Sequence, residues 1–232
     1  MPSEATSMDL RLAAPDVYWK HAWDIAGDRY PRASLPTTAG GEARIRRELL
    51  FCLLGGHAVS YELNESAADV LWRRGVFRHW HATTARLESE LSRPQFEPRR
   101  SDGTPRRYRY PARKARLLTE AARWLSQTGP LFSALLLRKS ERARRALLCE
   151  CPGMGPKSAS WLLRNCGMAA RLAILDVHVL RVMRESGRID GTTKRDTYNK
   201  LEQTFVTWCD DLGADPAGFD LLLWEWSRTS AR

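Results

Sequence analysis

The chain has 232 residues, enough for a sizeable hydrophobic core, and carries a net charge of +10 at pH 7 with a pI near 9.8. This charge favours a polyanionic partner, although a merely basic soluble protein has the same composition. The five cysteines are an odd number and do not suggest a disulfide framework. There is no signal-peptide pattern and no apolar run of about eighteen residues, so neither a secreted nor a membrane-spanning protein is expected.

The hydrophobic periodicity predicts an all-α fold, with helices along nearly the whole chain and none of the clean alternation typical of strands. Turn-forming residues at 28–41 predict a linker, so we assign residues 1–41 to an N-terminal extension and linker, and residues 42–232 to the main domain. Trp19 and Trp23, four residues apart, are interpreted as a helix stripe. The predicted helices span residues 15–27, 42–54, 64–73, 76–91, 111–127, 130–137, 140–150, 156–166, 177–186, 193–212 and 218–228.

Two segments concentrate the positive charge. Residues 99–116 contain eight Arg or Lys and one Asp, interleaved with Tyr108 and Tyr110. Residues 138–145 contain five basic residues and one Glu. Basic runs with aromatic residues suit contact with a nucleic-acid backbone together with stacking on bases. Turn residues in 99–107 also predict a mobile loop there.

A helix, a glycine turn and a second helix are predicted directly after the second basic segment. Residues 140–150 form the first helix, Pro152 ends it, and Pro156 begins a helix with one apolar face. Gly153 and Gly155 permit backbone conformations that are closed to other residues. Such a helix-hairpin-helix leaves free amides that bind anions at the start of the second helix, but an ordinary αα-hairpin has the same pattern.

Two residues after this turn carry chemistry. Lys157 is one of only six lysines among 37 lysines and arginines. A lysine amine can act as a nucleophile once it is uncharged, whereas arginine stays protonated. Asp176 follows in an apolar frame, where a carboxylate can accept a proton or stabilise a cation. The structural alternatives are a surface lysine that contacts phosphate and an aspartate that caps the helix beginning near Val177, and the two roles of Asp176 can coexist.

The segment Cys151-Pro-Gly-Met-Gly-Pro-Lys157, followed by Asp176-Val-His178, resembles the helix-hairpin-helix DNA glycosylases of base-excision repair. Bifunctional members of that family carry Leu-Pro-Gly-x-Gly-x-Lys and, downstream, Val-Asp-x-His. The likeness extends to the archaeal-type 8-oxoguanine DNA glycosylases over about residues 42–230. The further matching segments are Phe51-Cys-Leu-Leu54, Arg109-Tyr-Pro-Ala-Arg-Lys-Ala115, Lys157-Ser-Ala-Ser-Trp-Leu-Leu-Arg-Asn165 and Asp220-Leu-Leu-Leu-Trp224.

The resemblance implies two helical lobes with the active site in the cleft between them, and double-stranded DNA with a modified base as partner. One nucleotide is flipped out, Lys157 attacks C1′ as the base departs, and Asp176 accepts a proton or stabilises the cationic sugar. The resulting Schiff base allows a lyase step, and the implied base is 8-oxoguanine. The predicted DNA-binding residues are Gly153, Gly155, His178, Arg109, Arg113, Lys114 and Arg164. The predicted residues of the base pocket or wedge are His57, Gly55, Gly56, Trp224 and Trp226, with one of the two tryptophans as a stacking wall.

Departures from the family concern the base more than the chemistry. Gly55-Gly56-His57 replaces a Thr-Ala-Asn, and the chain ends in Arg228-Thr-Ser-Ala-Arg232 where members have Thr-Gly-Lys and a further lysine. A bulky hypermodified base, such as glucosylated 5-hydroxymethylcytosine of phage DNA, is therefore an alternative substrate, for which the glycines leave room and which makes the enzyme antiviral. A second alternative is a non-catalytic DNA-binding protein, against which the retention of Lys157 and Asp176 argues.

The spacing of Cys149, Cys151, Cys166 and Cys209 matches neither zinc pairs nor the iron–sulfur loop of some glycosylase relatives. We therefore predict no metal and no cofactor. We expect a monomer in the cytoplasm, associated with the nucleoid and without contact to a membrane.

Overall fold

The computed structural model describes residues 13–30, 41–56, 58–77, 83–190 and 197–229. Within these ranges the chain is helical, with a 3₁₀ turn at Gly27–Arg29, an isolated β-bridge between Phe96 and Arg106, and no strand. The all-α prediction is confirmed. The helices are α1 (Pro15–Ala26), α2 (Gly41–Leu54), α3 (Tyr61–Arg73), α4 (Thr84–Ser92), α5 (Pro111–Thr128), α6 (Leu131–Leu136), α7 (Glu141–Cys149), α8 (Pro156–Asn165), α9 (Val177–Glu185), α10 (Tyr198–Leu212) and α11 (Pro216–Thr229).

The helices belong to two compact units, as the two predicted lobes require. The central unit is continuous in sequence, comprises Pro36–Cys166 and contains α2 to α8. The N–C unit comprises Met1–Leu35 and Gly167–Arg232 and contains α1 and α9 to α11. Lys157 thus belongs to the central unit and Asp176 to the N–C unit. None of the described helices has both the length and the apolar character needed to cross a bilayer.

Helix α2 forms the core of the central unit. Ile45, Leu49 and Leu50 have no exposed surface, and the last turn around Leu54 is equally buried. Because apolar residues occupy more than one face of its C-terminal half, α2 packs against α3, α5, α6 and α8 together. Helix α8, which carries Lys157, is therefore held against the most buried helix of its unit.

The N–C unit is built around Trp19 of α1. The indole has no exposed surface and meets the rings of Phe219 and Trp226 edge to face, at centroid distances of 6.2 and 5.3 Å. Its Nε1 donates a hydrogen bond to Ser186 Oγ at 3.1 Å, which satisfies the buried N–H. Trp23 packs against the same core, so both tryptophans form the predicted stripe. The described part of residues 1–41 is therefore integral to this unit.

The helix predicted over 76–91 is wrong at its start. Phe77 follows α3 with a φ of 63°, outside the helical region, and its side chain is only 2% exposed. Helix α4 begins at Thr84, after the Thr83 hydroxyl accepts a hydrogen bond from Arg86 N at 3.3 Å. Val76 and Phe77 are thus buried at the end of α3 rather than on the face of a helix that continues to residue 91.

The segment 99–107, predicted as a mobile loop, contains a hydrogen-bonded turn. Phe96 pairs with Arg106 across a short hairpin. Arg100 N donates to Thr104 O at 2.9 Å, and Asp102 Oδ1 accepts from Thr104 N at 2.9 Å. The aspartate therefore stabilises the tip of a turn on which Arg99 and Arg100 are exposed.

Candidate DNA interface and active site

The turn between α7 and α8 requires glycine at position 153. Gly153 has a φ of +84°, which disfavours any side chain. A Cβ at this position would lie 2.4 Å from Cδ1 of Leu117, closer than any real contact. The turn closes with a hydrogen bond from Met154 N to Cys151 O at 3.0 Å. Glycine is thus needed here for the path of the chain.

Gly155 has a different reason to lack a side chain. It is the N-cap of α8 with a φ of −97°, a conformation that other residues adopt readily. A Cβ there would meet no atom within 4 Å, and no side chain caps the helix at this residue. No side chain of the N-cap residue therefore occupies the start of α8, where the first amides and the positive end of the helix dipole favour an anion.

Lys157 is the second residue of α8, and its amine lies over an aromatic ring. Nζ is 5.8 Å from the centre of the Trp161 ring, one turn further along the helix. Trp161 in turn makes an edge-to-face contact with Phe51, with 5.8 Å between the ring centroids, and Phe51 is only 3% exposed. Trp161 was not among the predicted site residues, although its spacing of four from Lys157 is the signal that would have placed it there.

Asp176 caps α9. Its Oδ1 accepts hydrogen bonds from His178 N at 2.8 Å and from Val179 N at 2.9 Å. The structural role predicted for this residue is confirmed. Both cap bonds fall on Oδ1, so the cap does not require Oδ2, and the cap and a chemical role are compatible.

The glycine turn after α2 is held by side chains from elsewhere in the central unit. The last carbonyls of a helix lack partners within it and must be satisfied from outside. Asn64 Nδ2 donates to Phe51 O at 3.0 Å, and the Tyr108 hydroxyl donates to Leu54 O. Arg109 Nη1 donates to Ala58 O at 3.1 Å, just beyond the turn. His57, predicted at the pocket edge, lies outside the described residues.

Lys114, predicted to contact DNA, instead belongs to this set. Its side chain faces the interior, is 8% exposed and donates from Nζ to the carbonyls of Leu53 and Gly55, both at 2.6 Å. Burial, with a smaller contribution from repulsion by Arg113, lowers the pKa of Lys114 from 10.5 to about 8. The basic segment therefore supplies one structural cation as well as surface cations.

The other predicted DNA-binding residues occupy different places. Arg113 is exposed on α5, and Arg109 is exposed with its guanidinium 5.4 Å from the Tyr110 ring centre. His178 is half-buried in the first turn of α9, beside Asp176. Arg164 lies in the last turn of α8, at the end opposite to the hairpin. These four residues thus lie on α5, α8 and α9 and in the segment just before α5.

The two C-terminal tryptophans have different surroundings. Trp226 packs against Trp19 and the core of the N–C unit. That contact shows that Trp226 has a packing role. Trp224 is half-buried, two residues earlier on α11. The prediction of an aromatic wall therefore rests on Trp224.

Four of the five cysteines are buried, and Cys149 is half-buried. Cys151, which replaces the leucine of the family motif, is 1% exposed, and burial raises its pKa to about 12. It thus fills the place of an apolar residue. In the described ranges no three His, Cys, Asp or Glu side chains are grouped in a way that could hold a metal ion.

Comparison with known proteins agrees with this geometry. Residues 35–214 match the family model described as 8-oxoguanine DNA glycosylase. The 8-oxoguanine DNA glycosylase/AP lyase of Thermotoga petrophila is 33% identical over 120 residues, which are 50% of this chain and 56% of that protein. The protein of the same description from Metallosphaera sedula is 29% identical over 117 residues, 50% of this chain and 57% of that one. The chain thus spans about half the length of the curated relatives it matches.

Solved structures show the same fold over almost the whole chain. The 8-oxoguanine DNA glycosylase of Thermotoga maritima aligns with a TM-score of 0.59 and 26% identity, covering 96% of this chain and 94% of that one. The enzyme of Methanocaldococcus jannaschii aligns with a TM-score of 0.64 and 19% identity, covering 91% and 92%. At that lower identity the likeness shows the fold alone. Since the family model covers well over half of the sequence, the chain belongs to the 8-oxoguanine DNA glycosylase family.

Proposed function

We propose that this protein is a DNA glycosylase with an AP lyase step that excises a modified base from double-stranded DNA. One observation carries the proposal. Lys157 places a primary amine in the first turn of a helix whose N-terminus is open and uncapped by any side chain of its N-cap residue. A backbone phosphate bound at that terminus brings a deoxyribose of the same strand close to the amine.

The binding step uses the hairpin. The amides in the first turn of α8 donate to a phosphate, and Gly155 presents no Cβ to block it. The exposed side chains of Arg109 and Arg113 add charge that is independent of sequence. Flipping of the target nucleotide then exposes C1′ of its sugar.

The chemical step joins the two candidate residues. The uncharged amine of Lys157 attacks C1′, and the bond from C1′ to the base breaks with its electron pair leaving on the base. The Asp176 carboxylate stabilises positive charge on the sugar and accepts the proton that the attacking nitrogen loses. Asp176 returns that proton to the ring oxygen O4′ as the C1′–O4′ bond breaks, which opens the sugar and gives a protonated Schiff base. The displaced nucleobase, which left with the bonding electron pair, takes a proton from C2′. The electrons of that C–H bond expel the 3′ phosphate, which is the lyase step.

The proposed base is 8-oxoguanine, because the family model and the curated relatives carry that name. The bulky-base alternative rests on the glycine turn. Among the described residues other than its chain neighbours, a Cβ at Gly56 would have only Lys114 Nζ within 4 Å, at 3.6 Å, which leaves room for a larger base at this position. Gly56→Leu is therefore expected to exclude a large base while leaving DNA binding intact.

Borohydride trapping on a duplex with 8-oxoguanine opposite cytosine tests the proposal. The wild type should form a stable covalent adduct, and Lys157→Gln should form none. DNA affinity of the variant should remain within several-fold, because only one of many backbone contacts changes. Lys20→Gln, which alters an exposed lysine of α1 that pairs with Asp24, is the matched control and should trap normally. An adduct with Lys157→Gln would show that another group is the nucleophile.

Mass spectrometry of bases released from a panel of modified duplexes separates the candidate substrates. Robust single-turnover excision of 8-oxoguanine opposite cytosine would reject the bulky-base alternative. Release of a glucosylated pyrimidine alone would reject the repair role. A folded protein that binds DNA but releases no base and traps no adduct would be a non-catalytic binder.

A further inference from the structure

The loop that carries Asp176 has no secondary structure of its own. Residues 172–176 run without helix or strand, and Asp176 itself is extended, with φ −88° and ψ −179°. The local main-chain bond is from Asp176 N to Ile174 O at 2.9 Å. The direction in which this segment delivers its carboxylate is therefore set by contacts from outside the loop.

Those contacts come from three polar side chains of the same unit. The Tyr198 hydroxyl donates to Ala173 O at 2.6 Å and accepts from Leu175 N at 3.3 Å. Glu202 Oε1 accepts from Ala173 N at 3.2 Å. Asp220 Oδ2 accepts from Ile174 N at 2.8 Å. Three successive amides are thus held by side chains rather than by a strand partner.

Two of these three side chains, the carboxylates, are almost completely buried. Glu202 is 1% exposed and Asp220 is 4% exposed. Burying a carboxylate is costly unless hydrogen bonds compensate it. Glu202 and Asp220 each accept a hydrogen bond from an amide within the three residues before Asp176, and neither caps a helix there. Asp220 also begins the Asp-Leu-x-x-Trp segment, and the sequence had predicted no role for this aspartate.

We propose that Tyr198, with Glu202 and Asp220, positions the carboxylate of Asp176 for the chemical step. This inference rests on the proposed function. Tyr198 is central because its hydroxyl bridges a carbonyl and an amide two residues apart, which fixes the extended path that ends at Asp176. A displacement of a reacting group by about 1 Å can lower a rate by about a hundredfold, so a positioning bond acts strongly on rate and weakly on binding.

Tyr198→Phe tests the role with the least change of shape. Single-turnover excision of 8-oxoguanine opposite cytosine should fall about tenfold or more, with DNA affinity within about twofold of the wild type. Tyr30→Phe is the matched control. It removes another tyrosine hydroxyl of the N–C unit, one that donates to Glu225 Oε2 at 2.9 Å, and should leave the rate unchanged.

A double-mutant cycle distinguishes positioning from a general structural effect. If Tyr198 acts through Asp176, Tyr198→Phe should cause no further loss of rate in an Asp176→Asn background. Multiplied effects would mean that the hydroxyl acts independently of Asp176, and would overturn the inference. A full rate with Tyr198→Phe alone would overturn it as well.

Two further results keep the outcomes separate. Should Tyr198→Phe fail to fold, Asp220→Asn, which keeps an acceptor oxygen for Ile174 N, takes its place in the same cycle. A wild-type protein that neither excises the base nor traps an adduct defeats the proposed function, and the positioning role with it. A wild type that is active beside a fully active Tyr198→Phe defeats the positioning role alone.

Discussion

The amine of Lys157 and the indole of Trp161 form a cation–π contact, with 5.8 Å between Nζ and the ring centre. The ring is itself held by the edge of buried Phe51. A lysine side chain otherwise samples many rotamers, and ordering it costs up to about 2 kcal/mol. The aromatic ring beside the amine restricts the rotamers of Lys157 before DNA is bound, so part of this entropy cost is already offset in the free protein.

Replacing Trp161 should therefore slow formation of the covalent adduct. Trp161→Leu removes the aromatic face, and we expect trapping to be slower by about five- to thirtyfold, which corresponds to about 1–2 kcal/mol. Trp161→Phe keeps a face and should retain most of the rate. The measurement is the time course of borohydride trapping at saturating DNA. Equal rates for the two variants would show that the ring only fills space.

Asp176→Asn should separate the cap from the chemistry. Asparagine is as good an N-cap as aspartate, so α9 should keep its start and the melting temperature should change little. Base release should fall by about a hundredfold or more, because the charge that stabilises the sugar cation is gone. Thermal denaturation and single-turnover excision provide the two measurements. A variant that unfolds would favour a purely structural role.

The two hairpin glycines should respond in opposite ways to alanine. Gly153→Ala forces a side chain into the left-handed region and against Leu117, so stability should fall by more than about 1–2 kcal/mol. Gly155→Ala meets no protein atom and should cost at most about 1 kcal/mol as a poorer N-cap. It should nevertheless weaken DNA binding, since its methyl group occupies the approach to the helix amides. Urea denaturation and titration with a duplex measure both effects, and unchanged affinity would contradict the proposed phosphate site.

Stability should depend on pH through Lys114. Its pKa is about 8 in the folded chain, below the ordinary 10.5, so between these values the unfolded chain binds more protons than the folded one. The penalty for burying the charge is present below pH 8 and is relieved as the pH rises through 8 towards 10.5. This one group therefore makes the free energy of unfolding rise with pH in that window, by at most about 1.4 kcal/mol per pH unit.

Lys114→Met should lose this contribution. Urea denaturation at pH 7, 8, 9 and 10 should show the wild type gaining stability relative to the variant above pH 8. Lys139→Met, at an exposed lysine, should follow the wild-type curve. Parallel curves for wild type and Lys114→Met would mean that the buried amine keeps its ordinary titration.

The hairpin was predictable because local chemistry decides it. Pro156 begins α8 as predicted, and the Ser140 hydroxyl caps α7 by accepting from Ala143 N at 3.1 Å. The buried turn around Phe77 was not predictable, since its positive φ results from packing rather than from a glycine. The path of the 172–176 loop also depends on partners distant in sequence, which no local pattern reveals.

The burial of Lys114 had a signal in the sequence that charge concealed. Lys114, Leu118, Ala121 and Leu125 follow one helix stripe, and all four are buried on α5. Lys114 was predicted to lie on the surface together with the neighbouring arginines, because long basic side chains seldom face a core. The apolar periodicity of α5 correctly predicts that Lys114 is buried, whereas the positive charge of Arg113 correctly predicts that Arg113 is exposed.

The turn that follows α2 is fastened by Asn64, Tyr108 and Lys114, and each of these reaches it through a main-chain carbonyl. None of the three bonds uses a side chain of Gly55 or Gly56. The course of the backbone in this turn therefore does not depend on which side chains positions 55 and 56 carry. The residues of the turn can therefore change, and with them the surface that the turn presents, while the course of the chain is preserved.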